Sequence, residues 1–318
     1  MLSRSMTDRE ETESTPLTEV TEIMPAPSTS MSLTYNLPDS ASLALTESYP
    51  PRTYRGFNDL NQAIMAVWDR LRQRDADQFL SFKHISPSSF LYVENNRNWL
   101  HKPVRLTYYP DIQTMIVKVP LPPHEKAHQL ISRKTLSILD NMGIDWDQQL
   151  PTGSATHTAP SRSQKQGDFS SRNSTLRPNE DSDWSPHWII EAGLSESLRR
   201  LRQDINWWIG NSGGQVLLAL LVRVDRAAKK ITIEKYFPQI RQRPSTRAQT
   251  VAGVFYVKRL VTTTVIDMRT TPPYVQGGPL VLDFDRLVGR PAVAPETNVI
   301  FDNARLVQMG HFVFMGIP

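Results

Sequence analysis

The chain has 318 residues, with 36 lysines and arginines against 32 aspartates and glutamates, and no cysteine. That length can bury a sizeable core, while the lack of cysteine excludes a disulfide framework and any thiolate metal site. Charge is unevenly spread, −6 over residues 1–50 and +10 over the remainder, a balance that favours polyanions such as nucleic acid or acidic lipid or else serves solubility alone.

Residues 1–50 are rich in Ser, Thr, Pro and Glu with little periodic apolar content, which predicts a disordered acidic tail ahead of one domain over 51–318. The opening "MLSRSMTDREETESTPL" lacks the apolar run of a secretory leader, and "VLLALLV" at 216–222 is too short to span a bilayer. The expectation is therefore an intracellular chain, nuclear or cytoplasmic, with no membrane partner. In "YRGFNDLNQAIMAVWDRLRQR" the residues Phe57, Leu60, Ile64, Val67, Trp68 and Leu71 recur at helical spacing behind Asn58, an expected N-cap. "VRLTYYPDIQTMIVKVP" reads as a hairpin turning at Pro110 and Asp111, followed by a helix over about 122–142. The stretch 148–185 is polar enough to be an exposed loop or insertion. Beyond it, "HWIIEAG" predicts a strand, "SESLRRLRQDINWWIGN" a helix capped by Ser195, and "GQVLLALLVRVD" a buried strand. Strand, helix and wholly apolar strand in that order mark a parallel crossover, so the fold class is α/β. "KKITIEKYF", "AGVFYVKRLVTTTVIDM" and "GGPLVLDFDRLVG" are β-rich runs that extend the sheet.

"LPPHEKAHQL" holds His124, Glu125 and His128 in the spacing of a zinc-protease helix, where two histidines ligate and the glutamate polarises the bound water. A third ligand is lacking. No glutamate stands between Glu125 and Glu180, Lys134 sits where a third histidine would be, and Pro122 and Pro123 put the motif at the helix start. The two histidines share a stripe with Ile131, Thr135 and Ile138, which points to partly buried helix histidines. Glu125 by itself suits the dipole of a first helical turn. Glu191 is different: alternation places it inside an apolar strand, where a carboxylate needs a partner or a cation.

The segments "PHEKAHQLISRKTLSIL", "KQGDFSS", "SPHWIIEAGLSESLRRLRQDINWW" and "GQVLLALLVRVDRAAKKITIEKY" together resemble the restriction-endonuclease-like PD-(D/E)xK superfamily. The pattern is similar to that of fungal proteins related to the bacterial Uma-like family, over about residues 85–305. The resemblance implies a mixed sheet flanked by helices and a magnesium-dependent nuclease in which Glu125, Asp168 and Glu191 are both catalytic residues and metal ligands. It also implies phosphate binding by Arg199, Arg200 and Arg202 on the helix that follows, where the related proteins carry a lysine. Gly193 stands at the lysine position of the E-x-K motif, and arginine is a poor proton-transfer group near neutral pH. Asp204 and Trp207 match the family's helix pattern. "RQRPSTR" at 241–247, with Lys258 and Arg259, suits phosphate contacts or a solvated loop. Three readings follow: a magnesium-dependent nuclease, a catalytically degenerate module of that fold binding nucleic acid or protein, and a zinc peptidase through "HEKAH".

Overall fold

A computed structural model describes residues 37–74, 76–153, 155–178, 186–194, 197–242 and 254–316. Most of the expected tail, residues 1–36, lies outside them, as do Ser195, the larger part of "RQRPSTR" and residues 179–185. All described residues fall within one unit, Thr34–Pro318.

In chain order, a short helix α1 (Ser40–Ala44) and strand β1 (Arg52–Thr53) precede helix α2 (Phe57–Gln73). Gly56, not Asn58, takes the N-cap of α2, and its apolar face buries Leu60, Ile64, Val67 and Leu71 as the spacing predicts. Strand β2 (Phe79–Lys83), helix α3 (Pro87–Asn95) and a 3₁₀ turn (Arg97–Trp99) lead to the hairpin β3 (Arg105–Tyr109) and β4 (Thr114–Lys118). Helix α4 (Pro122–Asn141) follows, with Pro122 at its first position, where a missing N–H costs nothing.

The stretch expected to be an exposed loop holds four short strands: β5 (Leu150–Pro151), β6 (Thr156–Thr158), β7 (Gln164–Gln166) and β8 (Phe169–Arg172). Many of its polar residues are inside rather than out. Ser163, Lys165, Gln166, Asp168, Ser170 and Ser171 are all buried, and all but the Ser171 hydroxyl have polar partners, as where Gln166 Oε1 accepts from the Leu106 N–H at 3.1 Å.

Strand β9 (Trp188–Leu194), helix α5 (Leu198–Asn211) and strand β10 (Leu218–Asp225) form the expected crossover, with β9 and β10 parallel. Two long strands, β11 (Lys230–Gln242) and β12 (Val254–Asp267), pair antiparallel, and β13 (Tyr274–Gln276) adds to β12. The run "GGPLVLDFDRLVG" is only partly β. Its strand β14 (Leu280–Leu282) gives way to helix α6 (Phe284–Val288), ended by Gly289 at φ 83°, before β15 (Val299–Phe301) and helix α7 (Asn303–Phe314).

The strands make a six-stranded sheet ordered β1-β2-β4-β3-β7-β6, a seven-stranded sheet ordered β13-β12-β11-β10-β9-β8-β5, and the pair β14-β15. The chain is thus α/β, with mixed sheets flanked by helices. One face of β9 (Trp188, Ile190, Ala192) joins a core with α4, α6 and α7, while Ile189 on the other packs with α5 and with Tyr109 and Ile116 of the hairpin. This second core brings the two larger sheets together. Among the described residues, no helix is long and apolar enough to cross a membrane.

Candidate functional site

Alternation along each strand decides what meets in that second core. On β9, Glu191 shares the face of Ile189; on β4, Lys118 shares the face of Ile116. Asp168 stands just ahead of β8, which pairs with β9, and its Oδ2 accepts the Ala192 N–H at 2.6 Å. Lys118 Nζ then bridges the two acids, 2.5 Å from Asp168 Oδ2 and 3.4 Å from Glu191 Oε2.

Other contacts extend the cluster. Lys165 of β7 lies 3.3 Å from Glu191 Oε1 and 2.9 Å from Asp204 Oδ1 on α5. Arg200 closes on the same Asp204 oxygen at 3.0 Å, and Trp208 Nε1 donates to Glu191 Oε1 at 2.7 Å. On the far side Arg105 of β3 joins Glu125 to Asp168, with a guanidinium nitrogen 3.5 Å from Glu125 Oε1 and Nε 4.0 Å from Asp168 Oδ1. Glu125, Asp168 and Glu191 are therefore held in one chain of contacts, linked through Arg105 and Lys118.

Buried charge sets their ionisation. Burial disfavours the Asp168 carboxylate, yet Lys118 and the nearby His128, His124 and Arg105 hold its pKa well below the usual range. For Glu191 burial prevails over Lys165 and Lys118, and its pKa is raised. Burial opposes the charge on Lys118 as well, but the Asp168 and Glu191 carboxylates keep its pKa above the ordinary lysine value. Asp204 is lowered against burial by Lys165 and Arg200.

Arg105, Lys118 and Lys165 escaped the sequence reading, although a signal exists. Arg105 and Lys118 are direct cross-strand partners in the β3–β4 hairpin. Like charges so placed repel unless an acid separates them, and Asp168 supplies it. Lys165, three residues before Asp168, sits opposite Thr107 of β3.

The three arginines expected to bind phosphate are dispersed. Arg200 is fully buried and committed to Asp204. Arg202 pairs with Glu234 at 2.5 Å, while Arg199 is exposed on the first turn of α5. Lys258 reaches the Arg202 carbonyl at 2.5 Å. Trp207 is core, its indole nitrogen donating to Ser163 Oγ at 3.0 Å.

The "HEKAH" helix offers no zinc site. Glu125 lies between its histidines, with Oε2 3.2 Å from His128 Nε2, and the His124 Nε2 accepts the Leu121 N–H at 3.2 Å. Among the described residues, no three His, Asp or Glu side chains are grouped to hold a metal ion. Magnesium, which the resemblance implies, needs several oxygens open to one point. Here Asp168 Oδ2 and both Glu191 oxygens are already engaged by ammonium, indole or amide groups. The carboxylates of Glu125, Asp168, Glu191 and Asp204 are matched by Arg105, Lys118, Lys165 and Arg200. The residues present do not fit a preformed magnesium site.

No family model matches the chain, and no curated protein matches it. Among solved structures, it is similar to "a putative nuclease belonging to DUF820" from Anabaena variabilis ATCC 29413, with 10% sequence identity and a TM-score of 0.35, over 71% of this chain and 99% of that one.

Proposed function

We propose that this chain is a nuclease-fold module that binds nucleic acid without cutting it, its acid centre converted into a buried ion-pair core. The observation that carries this reading is the Lys118 ammonium lying between Asp168 and Glu191, in the position where a catalytic cation would have to enter. Replacing that ammonium by a hydrated divalent ion would strand a buried lysine charge, a cost of several kcal/mol in general. The +10 balance of residues 51–318 supports a polyanionic partner. The test is incubation of purified protein with DNA and RNA, single- and double-stranded, with magnesium or manganese. Binding that weakens steeply with salt, and no cleavage, is the expected result.

A second reading, the magnesium-dependent nuclease, is favoured by one detail. Glu125 Oε1 and Asp168 Oδ1 are both buried without a hydrogen-bond donor, and both face Arg105. Metal-stimulated cutting that disappears in Glu125→Gln and Asp168→Asn would establish that reading and overturn the first.

A further inference from the structure

Arg105 has a second side. The 3₁₀ turn Arg97–Trp99 and the loop after it line a cleft of about 330 Å³ whose walls include Arg97, Asn98, Lys102 and Arg105 and no carboxylate. Lys102 sits over the Trp68 ring at 4.6 Å, and neither it nor Arg97 has an ion-pair partner among the described residues. Arg105 completes the basic wall, with its guanidinium turned back toward Glu125 and Asp168. Two cations without an acidic partner among the described residues, Arg97 and Lys102, thus share a small concave surface with the ion-paired Arg105. Such a cleft attracts a multiply bonded anion, and phosphate meets guanidinium groups with matched geometry.

An aromatic stands next in sequence to residues of this wall. Trp99, two residues from Arg97, is 68% exposed, whereas indoles are ordinarily well buried. The segment is fixed rather than trailing: Leu100 and Val104 are buried and the His101 N–H donates to Asn61 Oδ1 at 3.0 Å. An exposed ring on a fixed turn whose neighbours Asn98 and Leu100 line a basic cleft is of the kind that single-stranded nucleic acids use, with phosphate on cations and a base on the ring. A cleft of this volume suits one nucleotide and not a duplex.

We infer that the cleft formed by Arg97, Lys102 and Arg105, with Trp99 at its side, seats an unpaired nucleotide of a single strand. This rests on the nucleic-acid reading above and adds the strandedness and the place. The experiment is fluorescence anisotropy of the full chain with labelled oligothymidine, oligouridine and a duplex of equal length. Single strands are expected to bind tighter than the duplex, with the two oligonucleotides separating DNA from RNA preference. Trp99→Ala weakens single-strand binding by roughly ten-fold, as loss of one stacked base does, while Trp99→Phe restores most of it. Arg97→Ala and Lys102→Ala each lower the salt slope by about 0.7. If Trp99→Ala binds single strands as the parent does, or the duplex binds equally well, this inference is overturned and the nucleic-acid reading stands. Absence of salt-dependent binding to any of the three overturns both.

Discussion

Lys118 decides the character of the acid cluster because it is both buried and shared. Its ammonium answers Asp168 and Glu191 together, so truncation leaves two carboxylates facing one another inside the protein. Removal of one partner from a buried pair costs more than the pair contributes, since the orphaned charge has no solvent. Lys118→Met is accordingly expected to lose about 3–5 kcal/mol of unfolding free energy in urea at neutral pH. Adding Asp168→Asn to Lys118→Met should return a large part of that loss, and strictly additive losses would contradict the shared ion pair. Gly193 tells a related story at the position where the resemblance expects a lysine. A Cβ there would meet Gln78 Nε2 at 2.8 Å and Leu201 Cδ1 at 2.9 Å, so a side chain would require both of those side-chain ends to move. The strand packs too closely on α5, and the lysines arrive from β4 and β7 instead.

Among the elements, those with a plain apolar period were legible in the sequence: α2, the β3–β4 hairpin, α4, and the β9–α5–β10 crossover all stand within a few residues of their expected places. Elements stabilised by polar contacts were not. Strands β7 and β8 and the turn between them carry buried Ser, Gln, Lys and Asp, several with partners far along the chain, and periodicity registers only apolar residues. The site divides in the same way. Glu125, Asp168 and Glu191 came from the resemblance, whereas Arg105, Lys118 and Lys165 become visible only once the hairpin register is known. Helix α1 was missed for brevity. Its five residues lie inside the expected tail, yet Asp39 caps it through the Ser42 N–H at 2.8 Å, and Leu43 and Ala44 pack into the core that contains Ile205 and Trp208. A residue of a disordered tail can be shortened freely; a core residue cannot. Leu43→Ala should therefore destabilise the protein by about 2–4 kcal/mol, read as a lower urea midpoint with an unchanged slope. A midpoint equal to the parent's would return residues 37–50 to the tail.

For the molecule as a whole, the response to acid follows from two buried histidines, one in the first turn of α4 and one just ahead of β9. Burial pushes His124 down to about 3, and burial with the nearby Arg177 pushes His187 down to about 3. The geometry explains why neither ring tolerates a proton. His124 Nε2 accepts the Leu121 N–H at 3.2 Å and His187 Nδ1 accepts the Asn173 N–H at 3.1 Å, so protonation would set N–H against N–H. The other nitrogen of His187 is covered by Gly289, where a Cβ would lie 2.1 Å from Nε2. In the unfolded chain both rings titrate near 6.5. Each native pKa is lowered, so their contribution is complete above pH 6.5 and declines as pH falls toward 3. Two protons taken up on unfolding give a slope of about 2.7 kcal/mol per pH unit well below the unfolded value. Glu191 acts in the opposite sense, because its raised pKa makes the native state hold a proton that the unfolded chain releases above 4.5. Asp168 and Asp204, both lowered, add their own loss only below about 4. Urea unfolding at a series of pH values from 7 down to about 5, run in a Glu191→Gln background so that the opposing carboxyl is removed, isolates the histidine window. The expected outcome is a stability that falls with acid, a dependence roughly halved in His187→Gln; a flat profile would mean that at least one ring finds a way to carry its proton in the folded protein.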